Sequence, residues 1–151
     1  MDIKNCINYL LTQTQNKTSL LFRYNLKRHN VTPAQYAVLY FLWEEDGLTP
    51  TQLAQMSTVD TSTITGLLTR LEGKGFIERK HSHEDRRGVN IYLTQKGAAL
   101  QSEVCQTIET SNDQVMGQFS KAEQETLKNY LSRLCSAVDE IGISMEDAKQ
   151  S

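Results

Sequence analysis

Residues 48–94, LTPTQLAQMSTVDTSTITGLLTRLEGKGFIERKHSHEDRRGVNIYLT, constrain this chain more than any other stretch, because their punctuation divides them into two short helices followed by two short strands. Thr49 supplies an N-cap oxygen, and Pro50 stands at the first helical position, where no N–H is needed and φ is already set. Leu53, Ala54 and Met56 give this helix a narrow apolar face, and residues 57–60 are polar enough to turn. Asp60, Thr61 and Ser62 offer cap oxygens for a second helix, in which Ile64, Leu67, Leu68 and Leu71 recur at helical spacing and bury one stripe. Gly73 and Gly75 suit its C-terminal end. Residues 76–80 and 89–93 are β-prone, with a polar loop, residues 81–88, between them.

The apolar stripe of the second helix leaves Thr61, Ser62, Thr63, Thr65, Gly66, Thr69 and Arg70 on its other side, with Lys74 just beyond. An ordinary solvated face would carry Glu and Lys at i, i+4. This face is instead short, hydroxyl-rich and ends in a cation, which suits a major groove: hydroxyls reach phosphates or base edges, and small residues let the helix come close. The hairpin that follows is a wing. Arg86 and Arg87 at its tip suit a narrow minor groove, and Asp85, two residues before Arg87, is placed to accept its guanidinium and hold it extended. The plain alternatives are an ordinary amphipathic helix and a solvated turn with alternating charges.

These residues resemble the multiple antibiotic resistance regulator (MarR) family of dimeric winged-helix repressors, over nearly the whole chain. The resemblance is carried by Val31-Thr32-Pro33-Ala34-Gln35-Tyr36, by Leu53-Ala54, by residues 62–71 as the recognition helix and by Gly75-Phe76-Ile77. It is completed by Asp85-Arg86-Arg87 followed by Leu93-Thr94 and Lys96-Gly97. It implies a mainly α fold with a small β-hairpin wing, a winged helix-turn-helix lobe over about 32–94 and dimerisation helices over about 1–29 and 95–146. It also implies that Arg87 is the minor-groove residue, oriented by Asp85, and that Ser62, Thr63, Thr65 and Arg70 belong to the recognition helix.

The formal charge of −2 looks wrong for a DNA binder until it is divided along the chain. Residues 61–90 hold six Lys or Arg against four acids, and residues 1–30 hold five against one, whereas 95–151 hold five against nine. The positive potential is local. With no long apolar run, the 151-residue chain is expected to be one soluble, cytoplasmic domain with no membrane association.

At the ends, Ile3, Ile7, Leu10, Leu11, Leu21 and Tyr24 stripe a first helix, and Leu100, Val104 and Ile108 mark another. Ser120 and Glu123 form a capping box for a last helix bearing Leu127, Tyr130, Leu131, Leu134, Val138 and Ile141. This is more apolar surface than a small winged helix covers alone. A homodimer on a pseudo-palindromic duplex is the economical expectation; the alternative is that the ends fold back on their own core.

For regulation, the resemblance implies a small anionic, often phenolic effector in the crevice between dimerisation helices and DNA-binding lobe. Arg23 and His29 are its candidate charge partners, and Tyr36, Tyr40 and Trp43 its candidate walls, although the helix carrying these aromatics is apolar almost all round and suits a core or interface. Some members of the family sense peroxides through a first-helix cysteine, a place Cys6 is near. The match departs from theirs, because Thr32-Pro33 stands where they tend to have Tyr before Pro, and Lys4 is the sole obvious cation beside Cys6. Cys6, Cys105 and Cys135 are too dispersed for a metal or disulfide framework. His81, His83 and Glu84 suit a phosphate-facing wing better than a metal site. No nucleophile–base set or phosphate-cradling glycine loop points to an enzyme, and no cofactor is expected. A winged-helix interaction module without DNA binding is the remaining alternative.

Overall fold

The computed structural model describes residues 2–82, 84–85 and 87–143. They form two compact units, Met1–Ser111 and Asn112–Ser151. In the first, a 3-10 turn leads into α1 (Ile7–Leu26), and a second such turn, Lys27–His29, ends at Asn30 in the left-handed region. There follow α2 (Pro33–Glu44), α3 (Pro50–Met56), α4 (Thr61–Gly73), β1 (Ile77–His81), β2 (Val89–Leu93), α5 (Gln95–Ala99) and α6 (Gln101–Met116), whose residues beyond Ser111 belong to the second unit.

Each boundary has a local cause. Thr32 with Gln35 and Thr49 with Gln52 form capping boxes ahead of α2 and α3, each with Pro at the first turn. Asp60 caps α4 through a bond from the Ser62 N–H, 3.3 Å long, and Thr94 caps α5 through the Gly97 N–H at 3.1 Å. The strands pair antiparallel, with Ile77 opposite Leu93, Arg79 opposite Ile91 and His81 opposite Val89. The first strand starts one residue later than the sequence suggests. Phe76 is buried, and its N–H bonds back to the Leu71 carbonyl at 3.1 Å, so it belongs to the helix end rather than the hairpin.

The core of this unit joins α2, α3, α4 and the base of the hairpin through Val38, Leu39, Leu42, Leu53, Leu68, Leu71, Ile77 and Ile91. A smaller cluster, Leu26, Val104 and Ile108, ties α1 to α6, with Tyr36 and Trp43 packed against both clusters. Helix α4 and the hairpin therefore stand on a common floor. In the second unit, the Ser120–Glu123 capping box starts α7 (Lys121–Ile141), and Gly142 at φ 75° ends it. No residue of α7 is buried; Tyr130 is 55% exposed, Val138 55% and Ile141 68%. No helix among the described residues is long and apolar enough to cross a membrane.

Candidate nucleic-acid interface

Helix α4 buries Ile64, Leu67, Leu68 and Leu71 and exposes Thr61, Ser62, Thr63, Thr65, Thr69 and Arg70. The apolar spacing alone accounts for this division. Gly66 is half-buried, and a Cβ added there would meet nothing within 4 Å. Over residues 61–70 the exposed face carries hydroxyls and a guanidinium, and the one carboxylate at its C-terminal edge, Glu72, is paired with Arg79, so the face presents donors to a polyanion. Lys74 leaves this face. It sits at the C-cap, where the chain curls back, and its ammonium donates to the Asn30 carbonyl at 2.7 Å and Gln35 Oε1 at 2.8 Å. Partial burial, with Arg70 nearby, pulls its pKa below the usual lysine range.

In the wing, Arg87 and Asp85 are exposed, whereas Arg86 and His83 lie outside the described residues. Asp85 Oδ1 accepts the backbone N–H of Arg87 at 2.9 Å, and the Gly88 N–H bonds to the Asp85 carbonyl at 2.9 Å. The aspartate thus shapes the turn through the backbone, where the sequence suggested a bond to the guanidinium. An Asx bond of this kind closes two residues on, which is the geometry Asp favours in turns. The Arg87 guanidinium has no ion pair among the described residues. Towards the lobe, β2 is anchored by Asp46, whose carboxylate accepts the Leu93 N–H at 2.8 Å, and by Asn90, which donates to the Gly47 carbonyl at 2.9 Å. On the other strand, Arg79 pairs with Glu72 of α4 and donates to Thr69 Oγ1 at 3.2 Å. Sequence reading missed this link, although its signal is present: Thr69 and Glu72 are i, i+3 on one helix face.

Beside the lobe, an open cleft of about 540 Å³ is lined by Leu20, Arg23, Tyr24, Lys27, Val31 and Lys74, among others. It gathers three cations, and its lining includes no carboxylate. Of the five residues suggested for effector contact, Arg23 alone lines it. Lys27, four residues on from Arg23, was missed. His29 turns towards α6 instead, with its Nε2 3.1 Å from Arg28 Nε and 2.8 Å from Thr107 Oγ1, and its Nδ1 3.7 Å from Glu103. Burial, and secondarily Arg28, lowers its pKa, with Glu103 opposing them. Tyr36 stacks obliquely on Tyr40 and Trp43, with centroids 6.1 and 6.3 Å away, and burial raises its phenol pKa. The Trp43 indole N–H donates to the Gly97 carbonyl at 3.0 Å. Cys6 is half-buried at the start of α1, and Cys135 is exposed. Cys105 is half-buried with its thiol pKa raised by burial and by Glu109 and Glu44, the opposite of what a reactive thiol needs. Among the described residues no three His, Cys, Asp or Glu side chains gather around a common ion site.

A donor-bearing helix face and an adjoining hairpin on one rigid floor define a winged helix-turn-helix protein. The MarR family model matches residues 31–89. The organic hydroperoxide resistance transcriptional regulator of Bacillus subtilis (strain 168) is 32% identical over 139 residues, 92% of this chain and 91% of that protein. The homoprotocatechuate degradative operon repressor of Escherichia coli is 31% identical over 121 residues, 80% of this chain and 82% of that one. A crystal structure of a mutant E. coli MarR complexed with operator DNA superposes with a TM-score of 0.81 at 27% identity, covering 89% of this chain and 98% of that chain. The chain belongs to the MarR family, whose members are DNA-binding transcriptional regulators and not enzymes.

Proposed function

We propose that this protein is a homodimeric transcriptional repressor that lays the Thr61, Ser62, Thr63, Thr65, Gly66, Thr69 and Arg70 face of α4 in the major groove and Arg87 in the minor groove. The carrying observation is the hydroxyl-rich exposed face of α4 over residues 61–70 standing beside a wing whose exposed tip residue Arg87 has no ion pair among the described residues. The unburied apolar stripe of α7 supports pairing with a second copy, which presents two recognition helices to an inverted repeat. Selection of bound duplexes from a random library at physiological salt, followed by sequencing, tests this. Enrichment of an inverted repeat supports it, and weak, salt-sensitive binding without enrichment refutes it in favour of a partner-binding module.

The effector reading rests on the three-cation cleft. Arg23, Lys27 and Lys74 suit a carboxylate, while Leu20, Tyr24 and Val31 suit an aromatic ring, so the ligand class is a small phenolic acid. Homoprotocatechuate, in the name of one relative, belongs to that class. Titrating hydroxybenzoates and hydroxyphenylacetates into the protein–operator complex should release the DNA, and Arg23→Ala should abolish the release.

A second reading is favoured by the name of the B. subtilis relative and the half-buried place of Cys6. Here the Cys6 sulfur attacks an organic hydroperoxide, takes one oxygen to become a sulfenic acid and expels the alcohol. Release of DNA by cumene hydroperoxide in the wild type but not in Cys6→Ser identifies this route.

A further inference from the structure

We propose that Glu72 is a positioning residue which, acting through Arg79 and Thr69, fixes the angle between recognition helix and wing and so sets how strongly the protein discriminates sequence outside its half-sites. The proposal rests on the reading above that the wing contacts DNA.

Ile77 and Arg79 share one face of β1, because side chains alternate along a strand. Ile77 is 2% exposed and belongs to the core, so Arg79 continues that inner face at the point where apolar packing ends. Thr69 and Glu72 lie three apart on the adjoining edge of α4. The Glu72 carboxylate takes two bonds from one residue: the Arg79 backbone N–H at 3.3 Å on Oε1 and the guanidinium Nη1 on Oε2. Arg79 Nη2 reaches Thr69 Oγ1 at 3.2 Å, and the Thr69 hydroxyl donates to the Thr65 carbonyl at 2.9 Å. Strand, side chain and helix are thereby joined at three points.

The other strand is held to the lobe near Gly47 and Leu48, where the Ile91 N–H bonds to the Leu48 carbonyl at 2.8 Å. An isolated two-stranded hairpin is marginal in water and free to twist. With β2 pinned at one edge, the Glu72–Arg79–Thr69 clamp removes the remaining rotation of β1 against α4. Magnitudes separate positioning from stability. The Arg79 and Glu72 side chains are 30% and 39% exposed, and pairs so open to water add little to folding. A rotation of the hairpin base, by contrast, is carried to a tip several residues away, where minor-groove contact depends on insertion.

The test uses the operator recovered by random selection, with two sets of altered duplexes: one changed in the half-sites, the other with A·T flanks replaced by G·C. Binding by fluorescence anisotropy gives a core and a flank discrimination ratio for each protein. Wild type should disfavour the changed flanks by roughly ten-fold, the scale of one poorly matched base pair. Glu72→Gln, nearly isosteric, and Arg79→Lys, which keeps the charge but not the forked donor, should both bring the flank ratio close to one. Core discrimination should stay within about two-fold, and thermal unfolding should move little. Flank discrimination retained in both variants overturns the clamp while leaving the DNA reading intact, as does a parallel loss of both ratios. A wild-type protein indifferent to its flanks overturns the wing reading and the clamp together.

Discussion

Gly97 is the position at which one added carbon has the largest computable effect. An alanine Cβ there would lie 1.9 Å from the Phe76 carbonyl oxygen and 2.9 Å from its carbon, whereas C···O contacts ordinarily settle beyond about 3.3 Å. Backbone meets backbone, so no rotamer relieves the overlap, and α5 must retreat by roughly an ångström or more. Three hydrogen bonds resist that retreat: Thr94 N–H to Phe76 O at 3.1 Å, Thr94 Oγ1 to Gly75 O at 2.6 Å and Trp43 Nε1 to Gly97 O at 3.0 Å. Each contributes about 1 kcal/mol net, and more when a buried partner is stranded. Against this, replacing glycine by alanine in a helix returns at most about 1 kcal/mol. The balance is a loss of about 2–4 kcal/mol, which for a chain of this size lowers Tm by roughly 4–16 °C. The chain carries one tryptophan, Trp43, whose indole holds the Gly97 carbonyl, so its emission reports both local and global loss. Urea unfolding followed at Trp43 measures the difference directly. A Gly97→Ala protein that unfolds at or above the wild-type midpoint would falsify this account of the close approach.

Other substitutions separate stability from function. Gly66→Ala meets no atom within 4 Å, so it should stabilise α4 by up to about 1 kcal/mol in thermal unfolding. It should also weaken operator binding, because a methyl stands on the face that enters the groove; equal affinity would show that α4 does not approach closely there. Arg87→Ala should cost about 1–3 kcal/mol of operator affinity with no change in unfolding, and unchanged affinity would show that the wing is idle. Leu134→Glu, on the exposed stripe of α7, should drive the protein towards monomer in sedimentation velocity, and a persistent dimer would place the interface elsewhere. His29 accepts Arg28 Nε on its own Nε2, which requires the neutral imidazole. Its folded pKa lies below the ordinary value of 6.5, so the unfolded chain binds the proton first. Stability from this residue is complete above that pH and is lost as pH falls below it. His29→Gln should therefore flatten the urea midpoint between about pH 7.5 and 5.5, and an unaltered slope would exclude the histidine as its source.

Periodicity and caps made most of the fold legible because each signal is local. The i, i+3, i+4, i+7 stripe of α4 fixes which residues are buried, and Thr49, Asp60 and Ser120 each cap the helix that the sequence suggested. Phe76 was displaced from the hairpin by a contact no strand propensity contains, the bond of its N–H to the Leu71 carbonyl. The same limit governs the cations. Arg70 and Arg87 read correctly as exposed because a helix face and a turn tip determine their surroundings. Lys74 belongs to the same stretch but sits where the chain reverses, and its direction is set by two acceptors 44 and 39 residues earlier, the Asn30 carbonyl and the Gln35 amide.

That reversal gives Lys74 a position between two surfaces. It terminates the helix proposed to enter DNA, and its side chain lines the cleft proposed to hold an anion. Its ammonium is held by two neutral acceptors, with burial and secondarily Arg70 depressing its pKa, so an arriving carboxylate offers a charge-assisted bond that neither acceptor matches. Binding would then draw Lys74 away from Asn30 and Gln35 and disturb the end of α4. Lys74→Met should consequently retain operator binding while losing most of the response to phenolic acids. Full release in that variant, measured by anisotropy against the same acids, would sever the cleft from the helix end.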